Sequence, residues 1–167
     1  MQEILTKISR YNLFNYGLTG AVFIIFIIFI FKPESVFIIQ QNVAIFLLIS
    51  YFTGSILSRL GSLCIEPLLE KTRFVIFANY TDFLNAKKID STINDLSEEN
   101  NTYRTYIMSF FILFILMLIK ILNYHIPISR NSLIFITIIL LLVLFLFSYR
   151  KQTSYIRKSV NHLNKNL

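Results

Sequence analysis

NSLIFITIILLLVLFLFSY, residues 131–149, decides the fold. None of its residues carries a charge, and Leu133 to Phe147 holds one polar residue, Thr137. A helix of that length rises ~28 Å, close to the hydrocarbon thickness of a bilayer. A run so uniformly apolar has no polar face to turn to water. It reads as a membrane helix whose sides meet lipid. Helix is the state expected there, because lipid offers the backbone no hydrogen-bonding partner.

Three more uncharged blocks lie upstream, at residues 11–31, 35–58 and 105–123, the last extended past Lys120, which can snorkel to the interface. With 131–149 they make four spans in a single polytopic domain, 1–167. Lys32-Pro33-Glu34 forms a tight turn between the first two, and a short link containing Pro127 joins the last two. The block from Tyr11 exceeds the 7–15 residues of a secretory h-region, and no A-x-A-like site follows it. It is expected to remain as the first membrane helix. The composition agrees: 55% of the chain is hydrophobic and 15% charged, against roughly 25% charged in soluble domains. Trp is absent, so Tyr must supply any interfacial aromatic belt. The richness in Ile, Asn, Lys and Phe is compatible with an AT-rich bacterial genome.

Orientation follows from the cations. Thirteen of the sixteen Lys and Arg fall at the N-terminal end, in the central loop or in the tail, and three on the other side, Lys32, Lys120 and Arg130. The positive-inside rule then places both termini and residues 59–104 in the cytoplasm of a bacterial inner membrane. The sequon at Asn79 is cytoplasmic in this topology and unglycosylated.

The cytoplasmic parts read as helical. Leu69, Thr72, Ile76, Tyr80 and Phe83 share one helical face, with Pro67 before its first turn. Asp95 followed by Glu98 resembles a capping box that starts the helix entering the third span. In the tail, residues 150–167, Tyr149, Thr153, Ile156, Val160, Leu163 and Leu167 form a seam with heptad spacing. The fold class expected is therefore all-α: a four-helix transmembrane bundle with a helical cytoplasmic cap formed by the central loop and the C-terminal tail. The alternative for the tail is an amphipathic helix lying on anionic lipid.

Most enzyme chemistry lacks its residues. Cys64 is the single cysteine, and the histidines, His125 and His162, fall on opposite sides of the membrane. No Gly-rich phosphate loop, serine elbow or paired intramembrane carboxylate exists. No catalytic residue, metal site or cofactor is expected.

The second span differs from the fourth. Ser50, Gly54, Ser58 and Ser62 recur every four residues, a stripe that lets helix backbones approach closely in lipid, inside one bundle or between copies. If copies line a pore, Gln40, Gln41, Thr53, Ser55 and Ser58 are its candidates, and a polar, uncharged path predicts weak selectivity. Arg59 and Glu66 lie two turns apart on one side of a helix, too far to pair with each other but able to pair between neighbouring chains or to anchor the interface. The cytoplasmic cations stand among tyrosines. Arg73, Lys87, Lys88, Arg104, Arg150, Lys151, Arg157 and Lys158 are candidates for a phosphate-bearing ligand, although the positive-inside rule alone also accounts for them.

SRLGSLCIEP, residues 58–67, and LSEENNTYRT, residues 96–105, together with the four-span topology, resemble small membrane effectors of bacterial anti-phage defence, most of all the Hailong membrane effectors. The resemblance implies an oligomeric channel that depolarises the inner membrane during infection, and a homotetramer is the assembly expected. It also implies a partner nucleotidyltransferase whose oligonucleotide product binds the effector. Two other classes fit the same topology: a non-conducting anchor or adaptor for a soluble partner, and a holin-like lesion former. The polar stripe favours a channel over an anchor, and a central loop of this size favours a regulated protein over a holin.

Overall fold

The computed structural model describes residues 10–31, 42–124 and 128–165, and all regular elements among them are helical. Helix α1 covers residues 10–31, α2 Val43–Lys71, α3 Tyr80–Ile89, α4 Thr92–Tyr124 and α5 Ile128–Lys165. Four of them, α1, α2, α4 and α5, are long and apolar enough to cross a membrane. The protein is a multi-pass, all-α membrane protein. The turn at Lys32-Pro33-Glu34, the link at Pro127, and Gln40, Gln41 and Leu167 lie outside the described residues.

The helices overrun the spans expected from hydropathy. α4 has 33 residues and α5 has 38, ~50 and ~57 Å of helix, well beyond the ~30 Å of hydrocarbon. The polar first half of α4 and the polar last half of α5 therefore project together from one end of the bundle, the end rich in Lys and Arg. α2 likewise continues past Ser58 to Lys71, through a π-helical stretch at Gly61–Ile65. Proline at 67 has no N–H and its ring crowds the carbonyl four residues back. The wider π turn immediately before it takes up that defect without ending the helix.

Two expectations about the central segment need correction. No helix runs from Leu69 through Phe83. α2 stops at Lys71, where the Phe74 and Arg73 amides donate to the Leu69 and Glu70 carbonyls, both at 2.9 Å. Arg73 takes φ 56°, the left-handed conformation that closes a helix end. The apolar spacing of Leu69, Ile76 and Phe83 spans two elements and a turn, which a period count cannot separate. α3 starts afresh at Asn79, whose side-chain oxygen accepts from the Thr81 amide at 3.0 Å and its hydroxyl at 2.7 Å. Asp95 and Glu98 do not start α4 either. Asp90 does: its carboxylate accepts from the Thr92 amide at 2.9 Å, while Glu98 accepts from Asn94 inside the helix.

The core has two parts within the bundle. Ile30, Phe110, Leu113, Met117 and Ile138 are buried among α1, α4 and α5. Tyr106, Phe110 and Phe145 stack nearly parallel, Tyr106 and Phe145 with centroids 4.5 Å apart. Nearer the basic end, Leu57, Ile65, Val75, Ile107, Met108 and Tyr149 form a second cluster. A third lies beyond it, where α3 packs on α4 and α5 through Ala86, Ile93, Ile156 and Val160. Of the heptad seam, Tyr149, Thr153, Ile156 and Val160 are buried and Leu163 is half-buried. The outer face of α5 keeps Leu133, Ile136, Leu140, Val143, Leu144 and Phe147 exposed, the side that suits lipid.

The small-residue stripe of α2 is occupied within the chain. Ser50, Gly54 and Ser58 are buried and face α1. A Cβ on Gly54 would overlap the Tyr16 carbonyl, and one on Gly20 would overlap the Ser50 carbonyl. The two backbones thus meet directly, as such stripes permit in lipid. Ser62, the fourth of the stripe, is half-buried. At the opposite end of the bundle Lys120 donates to the Ile30 carbonyl and lies 5.9 Å from the Phe31 ring, so its ammonium serves the last turn of α1.

Candidate functional site

Polar side chains collect at one level of the bundle, where α1, α2 and α4 meet near the basic end. Asn15 is fully buried there and touches three helices. Its carbonyl oxygen accepts from the Thr105 hydroxyl at 2.6 Å. Its amide donates to the Tyr11 hydroxyl at 2.8 Å and, at 3.4 Å, to the Ser58 hydroxyl. α1 is π-helical over Leu13–Leu18, the turn that carries Asn15. The extra residue of a π turn leaves a backbone carbonyl without its α-helical partner. The Thr19 hydroxyl donates to the Phe14 carbonyl at 3.3 Å. The π stretch of α2, Gly61–Ile65, follows Ser58 directly. Both irregular turns therefore flank the polar level.

Arg104 of α4 is the hub. It pairs with Glu66 of α2, so Glu66 has a partner within the chain. The pairing comes from α4 lying against the π turn of α2: a Cβ on Gly61 would sit 3.2 Å from the Arg104 carbonyl oxygen. Arg104 Nε is buried and makes no hydrogen bond among the described residues. A cavity opens on each side of this guanidinium. The larger, about 510 Å³, reaches the basic end and is walled by Glu66, Glu70, Tyr80, Phe83, Asn100 and Tyr149, among others. The smaller, about 380 Å³, is a crevice on the α1–α2 flank, lined by Tyr11, Tyr16, Ser55, Ser58, Arg59, Ser62 and Arg104. Its polar groups are hydroxyls and guanidinium groups, with no carboxylate.

Depth along the helices can be counted. Arg59 is 16 residues from Val43, Tyr16 is 15 from Phe31, and Arg104 is 20 from Tyr124, which puts this level ~22–30 Å from the far limits of the described helices.

The residues singled out from sequence are distributed unevenly. Ser55 and Ser58 line the crevice, but Ser58 also serves Asn15 and the Ser55 hydroxyl donates to the Phe52 carbonyl at 2.8 Å. Thr53 sits on the other flank of α2, about half a turn round the helix from them. Of the eight cations proposed for a ligand, Arg104 alone lines the larger cavity. Arg150 lies over the Phe74 ring at 5.0 Å. Lys158 borders a shallow groove with Asp90 and His162. Arg73, Lys87, Lys88 and Lys151 are exposed and Arg157 half-exposed. Sequence reasoning missed Asn15 and Thr105. An amide at the fifth residue of the first apolar block was the available signal.

Among the described residues no three His, Cys, Asp or Glu side chains come together to hold a metal. Comparison with protein-family models, with curated proteins and with solved structures found no match. Fold and site therefore define a class, a multi-pass helical membrane protein with a buried polar layer between two cavities.

Proposed function

We propose that the protein is a non-enzymatic, homo-oligomeric ion channel of a bacterial inner membrane. In this reading four copies surround the pore, both termini face the cytoplasm, and the layer made by α3 and the projecting ends of α4 and α5 is a ligand-sensing cytoplasmic cap. The observation that carries the reading is the polar flank of α1 and α2. Tyr16, Tyr51, Ser55, Arg59 and Ser62 lie on or beside a crevice that opens outward from the chain, in this topology at the cytoplasmic edge of the hydrocarbon layer. Lipid cannot satisfy hydroxyls or a guanidinium, so such a surface calls for water or another copy against it. The interior of a single bundle is packed with Phe110, Leu113, Met117 and Ile138, so the water path belongs between copies.

The resemblance at residues 58–67 and 96–105 extends the proposal to anti-phage defence, with depolarisation of the membrane and control by a nucleotidyltransferase product. The exposed cations Lys87, Lys88, Lys151 and Lys158, with Arg150 and Arg157, would take the phosphates of an oligonucleotide. One observation favours a second reading, a non-conducting anchor: the small residues of α2 are already used against α1.

Ion flux in liposomes carrying the purified full chain, with and without short oligonucleotides, separates the two. The channel reading expects flux that the oligonucleotide alters. No flux under any condition, with a monomeric particle in detergent, would leave the anchor. Flux indifferent to any oligonucleotide would point to a lesion former.

A further inference from the structure

The crevice beside Arg59 has a sign. Resting on the channel reading, we infer that the conduction path selects small inorganic anions over cations, and that the α1–α2 crevice sets this preference through Arg59. The expectation from sequence was an uncharged, weakly selective path. The structure changes the premise by setting Arg59 in one crevice with the pore candidates Ser55 and Ser58. Arg59 sits on the polar flank of a continuing helix, level with Ser55 and Ser62.

The lining is one-sided in its chemistry. Arg104 reaches the crevice but is compensated by Glu66. Arg59 is exposed and has no ion pair among the described residues. The crevice therefore presents one uncompensated positive charge and no carboxylate. Its neutral groups add donors. Ser58 accepts from Asn15 through its oxygen, which leaves its hydrogen free to donate. Ser55 differs, since its hydrogen is committed to the Phe52 carbonyl. A partly dehydrated anion finds N–H and O–H donors and a fixed positive charge here. A cation finds the hydroxyl oxygens of the same residues but is repelled by the guanidinium. Repeated around an oligomer, the same charge forms a ring of arginines, the arrangement that favours anion pores.

The other cavity has the opposite character. Glu66 and Glu70 lie in its wall with aromatic rings, so the preference is a property of the crevice and not of the basic end as a whole.

The test is the reversal potential of the full-length protein in a planar bilayer under a ten-fold KCl gradient. The expected potential lies toward the chloride equilibrium value. Arg59→Gln should lower the chloride-to-potassium permeability ratio about ten-fold while currents persist. Ser62→Asp, which adds a carboxylate to the same crevice, should lower it as well, and provides a second measure if the arginine variant assembles poorly. Lys71→Gln, twelve residues further along α2, should leave the ratio unchanged. Cation-selective or unselective current in the unmodified protein overturns the inference and leaves the channel standing. So does a ratio that both crevice variants leave intact, or one that Lys71→Gln lowers equally, which would assign it to general surface charge. Absence of current from every preparation sinks the channel reading, and this inference with it.

Discussion

The Thr105 hydroxyl donates to the Asn15 side-chain oxygen across 2.6 Å, tying α4 to the π-helical turn of α1 in a place from which solvent is excluded. Both side chains are fully buried, and Asn15 spends its amide on Tyr11 and Ser58 in the same step. One side chain thus joins three helices. In lipid, where helices gain little from burying apolar surface against each other, such a bond helps fix which helix sits where.

Asn15→Ala should cost about 1–3 kcal/mol, the penalty for buried partners left unsatisfied. Part of the loss is recovered, because the Thr105 hydroxyl can turn to the Asn101 carbonyl at 2.9 Å. The thermal midpoint of the detergent-solubilised protein measures this. A midpoint equal to that of the parent would show that the polar layer contributes nothing to stability.

The glycines of α1 and α2 give a sharper contrast. Gly54→Leu should break the α1–α2 contact, because even its Cβ overlaps the Tyr16 carbonyl. Overpacking of this kind costs roughly 1–3 kcal/mol or more, and the protein should aggregate or lose the parent's elution peak in size-exclusion chromatography. Gly17→Ala should be tolerated, since its Cβ would lie 3.6 Å from a Leu13 methyl group, an ordinary contact. Equal behaviour of the two variants would contradict the packing described.

Breaking the Arg104–Glu66 pair from one side should be worse than removing both members. Glu66→Ala leaves a guanidinium that is 12% exposed without its counter-charge, a loss of about 3–5 kcal/mol for a well-buried pair and less here, where Glu66 is 33% exposed. Replacing both residues, Glu66→Gln with Arg104→Met, should recover part of it. A double-mutant cycle on thermal stability reads the coupling, and additive single effects would show that the pair is not coupled.

Asp90 gives the pH dependence. Hydrogen bonds from the Thr92 hydroxyl and amide hold its carboxyl below the usual carboxylate range. A lowered value means that the turn's contribution is present above the unfolded-state pKa and is lost as pH falls through the folded one. Amide exchange at Thr92 to Asp95, corrected for intrinsic rates, should therefore rise on acidification below that range. Asp90→Asn keeps an acceptor for the Thr92 amide and should remove the pH dependence.

One-dimensional signals were enough for the membrane spans. Runs such as Leu133 to Phe147 are too apolar and too long to be anything but membrane helices, because lipid leaves the backbone no other way to satisfy its hydrogen bonds. The seam at Tyr149, Thr153, Ile156 and Val160 was legible for the same kind of reason, a period matched to a helix. The cap residues were less so. Asn79, Asp90 and Asp95 are all plausible helix starters, and which of them acts depends on where the chain must turn to lay α3 on α5.

Tertiary structure alone decided the rest. Whether Gly54 and Ser58 faced another copy or their own α1 could not be settled by spacing, since a small-residue stripe has the same period in either role. The partner of Glu66 is thirty-eight residues away at Arg104, and no local pattern encodes it. The assembly of Asn15, Ser58 and Thr105 depends on two π turns that bring three helices into register, and an extra residue in a helical turn leaves no periodic mark. Hydrophobicity selects the solvent for each segment, while the pairing of buried polar groups selects the neighbours. That second choice is made in three dimensions, where the cost of an unpaired hydroxyl or guanidinium is felt.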